Sequence, residues 1–471
     1  MLHVSTRGEA PALSFSDALL TGLARDGGLY LPQSWPTLSA ADIAGFAGKP
    51  YTAVAERVLG ALSDGDIESG ALSGMIREAY AGFRHPAVCP LTQIGDNLFV
   101  LELFHGPTLA FKDVAMQLLG RLMDHVLGQR GQRATIVGAT SGDTGGAAID
   151  AFKWLKSVDV FILYPEGRVS DVQRRQMTTV EADNVHAIAV EGTFDDCQNL
   201  VKAMFNHHAF RDEIGLSGVN SINWARVAAQ VVYYFTAAVS LGAPGRKVSF
   251  TVPTGNFGDI LAGWVAKQMG LPIERLGIAT NSNDILARTL ETGAYEMRGV
   301  QATTSPSMDI QISSNFERLL FEAYGRDGAA VRRLMQSLQQ SGHFEIAGEA
   351  LQRIRGEFDA ASQSEDEIAS EIRKSWTEAG YLLDPHTAIG VGAARQALKR
   401  DPATPMVVLG TAHPAKFPAA VKAASGVEPV LPAHLADLME RKERVTLLPN
   451  DLGTIEAFVR DHARAVRGAA A

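Results

Sequence analysis

Cysteine is almost missing from this chain: Cys89 and Cys197 are the only two in 471 residues. They form no CxxC pair and no Cys/His spacing, which excludes a disulfide framework and a structural zinc site and points to a reducing compartment. An excess of positive charge is missing too. Lys and Arg total 43 against 52 Asp and Glu, a net charge of -9, so there is no basic footprint for nucleic acid or for an acidic membrane surface, and an anionic substrate would need local cations. Long apolar runs are absent. The nearest approach, Val227 to Pro244, is interrupted by Gln230, Thr236 and Ser240 and falls short of the ~20 apolar residues of a membrane span, so it reads as a buried crossover helix. The start, Met1 to Gly8, lacks the charged, then apolar, then small order of a secretion signal. The expectation is a cytoplasmic protein with no nucleic-acid or membrane partner.

Several catalytic signatures are missing as well. No GxxxxGK[ST] and no GxGxxG occurs, so neither an ATP-type phosphate loop nor a dinucleotide fingerprint is supported. The stretch Gly138-Ala-Thr-Ser-Gly142 fails as a nucleophile elbow because Ala139 stands where GxSxG needs its first glycine. There is no HExxH, and His207-His208 has adjacent rather than same-face spacing, so no metal site is expected.

What is present is a large apolar fraction, 46% of residues, enough for a sizeable core, and a rhythm. Residues 1 to about 90 mix helical periodicity with one sharp turn, Asp26-Gly27-Gly28, and read as a small, mostly helical domain. Leu98 to Phe104 then reads as a buried strand. From Ala134 onward, short apolar runs lead through Gly/Ser/Thr/Asn-rich turns into helices: Ala134 to Val137 into 138–146, Val248 to Val252 into 253–259, Met406 to Leu409 into 410–417. That alternation implies parallel sheets flanked by helices, with ligands bound beyond the carboxyl ends of the strands. Residues 325–380 read as a charged outer helical layer, and 431–471 as a helical tail with an alanine-rich end.

Two of these loops offer backbone N–H groups and hydroxyls at helix starts, which suits anions. A third feature is Lys112, in His105-Gly-Pro-Thr-Leu-Ala-Phe-Lys-Asp113, at the first turn of an amphipathic helix carrying Val114, Leu118, Leu122 and Val126. The positive helix end disfavours an ammonium there and favours a nucleophilic amine; the plain alternative is an exposed lysine ahead of a core helix. An activatable lysine with two anion cups is the set that pyridoxal phosphate requires, with an imine to its aldehyde, a cradle for its phosphate and a second site for the carboxylate of an amino-acid substrate.

The pieces His105 to Asp113, Gly138-Ala-Thr-Ser-Gly-Asp-Thr-Gly145, Ser221-Ile-Asn-Trp-Ala-Arg226, Pro253-Thr-Gly-Asn-Phe-Gly-Asp259 and Gly410-Thr-Ala-His-Pro-Ala-Lys-Phe417, with Ser5-Thr-Arg-Gly8 and Asp26 to Tyr30, together resemble threonine synthases of the longer bacterial and fungal branch. The resemblance implies the tryptophan-synthase-β-like α/β fold: an N-terminal helical domain (1–90), a large cofactor-binding domain (91–125 and 215–430), a small α/β domain (126–214) and the tail. It implies pyridoxal 5'-phosphate on Lys112, its phosphate held by Gly255, Asn256, Phe257 and Gly258, its ring nitrogen met by Thr411, and Asp143 near its 3-hydroxyl, where related enzymes often carry asparagine. Ser141, Gly142 and Thr144 match the loop for a substrate carboxylate; Ser221, Asn223 and Arg226 match residues that grip a substrate phosphate. The implied reaction takes O-phospho-L-homoserine and water to L-threonine and phosphate, with a monomeric enzyme as the expectation and a dimer as the alternative. A phospholyase releasing 2-oxobutyrate and a non-catalytic relative of the same fold stay open. Asp113 and Asp259 read as helix-dipole charges, while Asp384, His386, His413 and Lys416 have no settled role.

Overall fold

In the computed structural model, which describes residues 1–467, two twisted sheets carry the architecture. The larger has six strands in the order Phe358–Ser362, Ile273–Thr280, Val248–Pro253, Met406–Gly410, Leu98–Glu102, Leu91–Gly95. All neighbours run parallel except the last pair, a hairpin at the edge. Met406–Gly410 and Val248–Pro253 are buried along their whole length, as expected of parallel strands covered on both faces. The smaller sheet has five strands, in the order Thr446–Pro449, Val185–Glu191, Val158–Pro165, Ala134–Ala139, Leu216–Ser217, all parallel.

Helix Trp224–Ser240 has 14 of its 17 residues buried. A helix apolar all round belongs inside a core, and this one packs against Lys112–Gln129 and Gly258–Gln268. No helix among the described residues is long and apolar enough to cross a membrane. The N-terminal stretch is mainly helical (Phe15–Thr21, Ala40–Ala44, Tyr51–Ser63, Ser69–Tyr80), with a short antiparallel pair, His3–Ser5 and Tyr30–Pro32.

Two segments depart from expectation. The charged stretch 325–380 does form helices, Gly328–Ser341, Gly348–Glu357 and Glu365–Ala379, but between them Phe358–Ser362 becomes the edge strand of the large sheet. Only Phe358 is fully buried there, so the run lacks the apolar density that marks a strand in sequence. The helical tail is corrected in the same way: Thr446–Pro449 pairs in parallel with Val185–Glu191 before the helix Leu452–His462. That strand is part-exposed and four residues long, an edge strand with little signal. The alanine-rich end, 468–471, lies outside the described residues.

Candidate functional site

Val248–Pro253, Met406–Gly410 and Leu98–Glu102 are adjacent in the large sheet, so the loops leaving their carboxyl ends converge. The backbone fastens two of them: Leu103 N donates to Gly410 O (2.9 Å), Phe111 N to Thr411 O (2.8 Å) and His413 N to Leu109 O (3.0 Å). Lys112 and Thr411 thus share one frame. Asp113 closes the lysine's own loop, taking Thr108 N at 2.8 Å and Thr108 Oγ1 at 2.6 Å. Gly106 must be glycine for that loop to pack, since a Cβ there would lie 2.5 Å from Asp113 Cβ. Burial lifts the Asp113 carboxyl to about 7. Its work is structural, as is that of Asp259, which the Tyr233 and Tyr234 hydroxyls hold from within the core.

Lys112 opens helix Lys112–Gln129, whose N-cap residue Phe111 supplies no side-chain cap. Its Nζ is 3.8 Å from Asp143 Oδ2 and donates to Ser307 Oγ at 3.5 Å. Burial pulls the amine down to about 8; Asp143 opposes this, and Arg226 and Lys416 add to it. Asp143 reaches the lysine from the small sheet, at the start of helix Asp143–Phe152, just after strand Ala134–Ala139. Burial works against its ionisation, yet Lys416, Lys112 and the Gln173 amide (2.8 Å) hold its carboxyl well below the usual carboxylate range.

Next to it, Thr140 Oγ1 accepts from Gly142 N and Gly145 N, both at 2.9 Å. Gly142 sits at φ +141°, and a Cβ there would lie 2.4 Å from Gln173 Cδ. The side chains of Ser141 and Thr144 stand half-exposed on this turn.

The other loop, 254–257, has Phe257 at φ +64° as the lead-in to helix Gly258–Gln268. The backbone N–H groups of Gly255, Asn256, Phe257 and Gly258 donate to no acceptor among the described residues, leaving four donors at a helix start. Ser313 Oγ braces Gly255 O at 2.6 Å, and Asn315 holds Asn256 O through both its backbone N and Nδ2, each at 3.0 Å.

Arg226 lies on helix Trp224–Ser240, 5% exposed. One nitrogen donates to Val219 O at 3.0 Å, Nε has no partner, and no carboxylate pairs with it among the described residues. Burial alone lowers it, to about 10. A buried guanidinium without an anion is costly, and the natural remedy is a ligand that brings one. Asn223 is engaged by the fold: Oδ1 caps the helix at Ala225 N (3.0 Å) and Nδ2 donates to Leu19 O (2.8 Å). Ser221 is partly exposed, and Asn315 Nδ2 ties down its carbonyl at 3.0 Å.

These residues fit pyridoxal phosphate. The four free N–H groups suit a phosphate, and Gly255 lets the turn at Ser307 pack against this loop, as a Cβ there would lie 2.8 Å from Ser307 O. Thr411 Oγ1 is buried without a partner, the state of a hydroxyl awaiting a ring nitrogen. Of the residues left without a role, His413 caps a turn at Ala415 N (3.2 Å) and is pushed by burial to about 4. Lys416 instead enters the site, with Nζ 3.0 Å from Asp143 Oδ1. Asp384 caps helix Pro385–Leu398 and holds His386 Nδ1 at 2.9 Å, while His386 Nε2 accepts from Ser307 N at 3.3 Å. Ser307, Gln173 and Asn315 escaped the sequence reading: none belongs to a glycine-rich turn, to a strand-to-helix junction or to the pieces that carry the family resemblance.

Comparison with known proteins agrees with this geometry. A family model for pyridoxal-phosphate dependent enzymes matches residues 89–411, one for the threonine synthase N terminus matches 2–80, and one for the threonine synthase C-terminal region matches 387–459. A threonine synthase of Pseudomonas aeruginosa is 54% identical over 463 residues, covering 98% of each chain. The solved structure of a PLP-bound threonine synthase from Brucella melitensis superposes with a TM-score of 0.97 at 67% identity, covering 98% of this chain and 100% of its own. The yeast threonine synthase structure follows at 0.93 and 40%, covering 98% of both. The chain therefore belongs to the threonine synthase family of pyridoxal-phosphate-dependent enzymes.

Proposed function

We propose that the protein converts O-phospho-L-homoserine and water to L-threonine and phosphate. The observation that carries the substrate is Arg226: a buried guanidinium with no anion of its own, close enough to Lys112 to act on its charge. A serine or threonine dehydratase would have nothing to place there. A planar fork of donors suits a phosphate monoester.

When bound, pyridoxal phosphate supplies an electron sink for negative charge developing on the carbons of an amino acid. The chain's own residues supply the rest. Gly255, Asn256, Phe257 and Gly258 would hold the cofactor phosphate by backbone N–H groups, Thr411 Oγ1 would meet the ring nitrogen, and Asp143 would serve the cofactor hydroxyl. Ser141, Gly142 and Thr144 receive the substrate carboxylate, and Ser221 and Arg226 its phosphate. Asn223 contributes by fixing the start of the helix that aims Arg226. Lys112 Nζ, poised near neutrality, takes the proton from the α-carbon and passes it to the departing phosphate, takes one from the β-carbon as phosphate leaves the γ-position and returns it to the γ-carbon, and, after water adds its hydroxyl at the β-carbon, carries the water's remaining proton back to the α-carbon. The division into an N-terminal part (1–90), a large domain (91–125 and 215–430) and a small one (126–214) accords with a crevice whose walls come from both sheets. The two buried, unpaired cysteines accord with a reducing cytoplasm. We take the working unit to be a monomer.

The test is one incubation with O-phospho-L-homoserine in which phosphate, threonine and 2-oxobutyrate are quantified together. Threonine equal to phosphate is expected. Phosphate matched by 2-oxobutyrate would make the protein a phospholyase, and no phosphate release would remove the substrate reading.

A further inference from the structure

Lys416 is 0% exposed. A lysine this deep must have its ammonium satisfied or give up its proton, and here every partner is an acceptor: Thr108 O at 2.6 Å, Gln176 Oε1 at 2.8 Å and Asp143 Oδ1 at 3.0 Å. Gln176 is itself fixed, donating through Nε2 to Thr108 O at 3.0 Å. Three acceptors match the three donors of an ammonium. The far oxygen of Asp143 is the one that faces Lys112 Nζ, at 3.8 Å.

We propose that Lys416 is a positioning residue for the reaction, a resident ammonium that fixes the Asp143 carboxylate beside Lys112 and offsets part of its charge, so that Lys416, Asp143 and Lys112 work as one chain of alternating charge. A neutral amide at position 143 would need no such counterion; an aspartate buried to 4% exposure does. The chain also bridges the two walls of the crevice. Lys416 stands on the short turn Pro414–Lys416 after strand Met406–Gly410 of the large sheet, whereas Asp143 follows strand Ala134–Ala139 of the small one. The groups facing Lys112 are Asp143, Lys416, Arg226, the Ser307 hydroxyl and the Phe111 ring, at 5.6 Å. Of these, Asp143 favours the protonated amine, and Lys416 and Arg226 disfavour it.

This inference rests on Lys112 being the cofactor lysine, and its test keeps the two apart. The measurement is the pH midpoint of the visible absorption of the lysine-bound cofactor in the holoenzyme, with kcat followed beside it. In Lys416→Gln, which can still bond Thr108 O, loss of the cation leaves Asp143 facing Lys112 alone, and the midpoint should rise by about one pH unit. In Asp143→Asn it should fall by a similar amount, with Lys416 then unbalanced. The double variant Asp143→Asn/Lys416→Gln should return it to near the wild-type position and recover part of the kcat lost in Lys416→Gln. Midpoints that stay put, or a double variant that adds the two losses, would reduce Lys416 to a packing role and overturn the proposal. Should Lys416→Gln not fold, the fall in Asp143→Asn decides, since no change there removes the charge chain. A visible band that survives in Lys112→Ala would instead strike the underlying reading.

Discussion

Arg226 is a guanidinium set in the protein interior with one backbone carbonyl for company. Such a group costs the empty protein stability, because desolvation of the charge is not offset by a counter-ion. Its replacement should therefore separate two quantities that usually fall together. Arg226→Ala is expected to raise KM for the phosphorylated substrate by roughly 100-fold, the ~3 kcal/mol of a buried charge-assisted contact, while the melting temperature of the unliganded protein stays level or rises. A melting temperature that drops by several degrees would mean that the guanidinium already has a structural partner. The residue-scale features that could be read in the sequence were those with a local signature: Lys112 at a helix start, the glycines of the two cups, and Arg226 within a quoted motif. Lys416 was visible as a residue, but its destination was not. Nothing along 414–417 says that the ammonium will meet Asp143, which lies in the other sheet's loop.

At the scale of elements, the loop assigned to the cofactor phosphate is fastened to the segment assigned to the substrate phosphate. Asn315 Nδ2 donates to Asn256 O in the loop assigned to the cofactor phosphate and to Ser221 O in the loop assigned to the substrate phosphate, both at 3.0 Å. Arg318, buried on the following turn, accompanies it: it bonds Asn315 Oδ1, Ile222 O (2.7 Å) and, in the N-terminal segment, Tyr30 O (2.9 Å). Removing the amide should disturb both ligands at once. Asn315→Ala is expected to weaken cofactor retention and to raise substrate KM, each by about tenfold, the effect of one or two buried hydrogen bonds at ~1 kcal/mol apiece. Dialysis against cofactor-free buffer and steady-state kinetics would check both, and a change confined to one ligand would show that the loops are held separately. The elements carrying a strong period, the buried parallel strands and helices such as Lys112–Gln129, could be read from the sequence. Phe358–Ser362 and Thr446–Pro449 could not. Edge strands bury little, so they leave little apolar pattern, and their pairing partners lie far away in the chain.

For the molecule as a whole, the C-terminal segment completes the small sheet. Ile455 and Val459 on helix Leu452–His462 are fully buried in a cluster with Ile188, Val190, Cys197, Leu200 and Met204, and strand Thr446–Pro449 covers the edge of Val185–Glu191. Ending the chain at Lys442 would remove both large side chains, each worth about 2–5 kcal/mol in such a core. It would also bare the strand edge. The truncated protein should be insoluble, or melt at least ten degrees lower by differential scanning calorimetry; an unshifted melting temperature would make the segment an ornament rather than a part of the sheet. The same arrangement has a meaning for biosynthesis. A sheet begun at Ala134 cannot be finished until residues beyond 446 have been made, so throughout translation of the roughly 250 residues between Glu191 and Thr446 the Val185–Glu191 edge stays uncovered, and chaperone binding to the nascent chain should concentrate there.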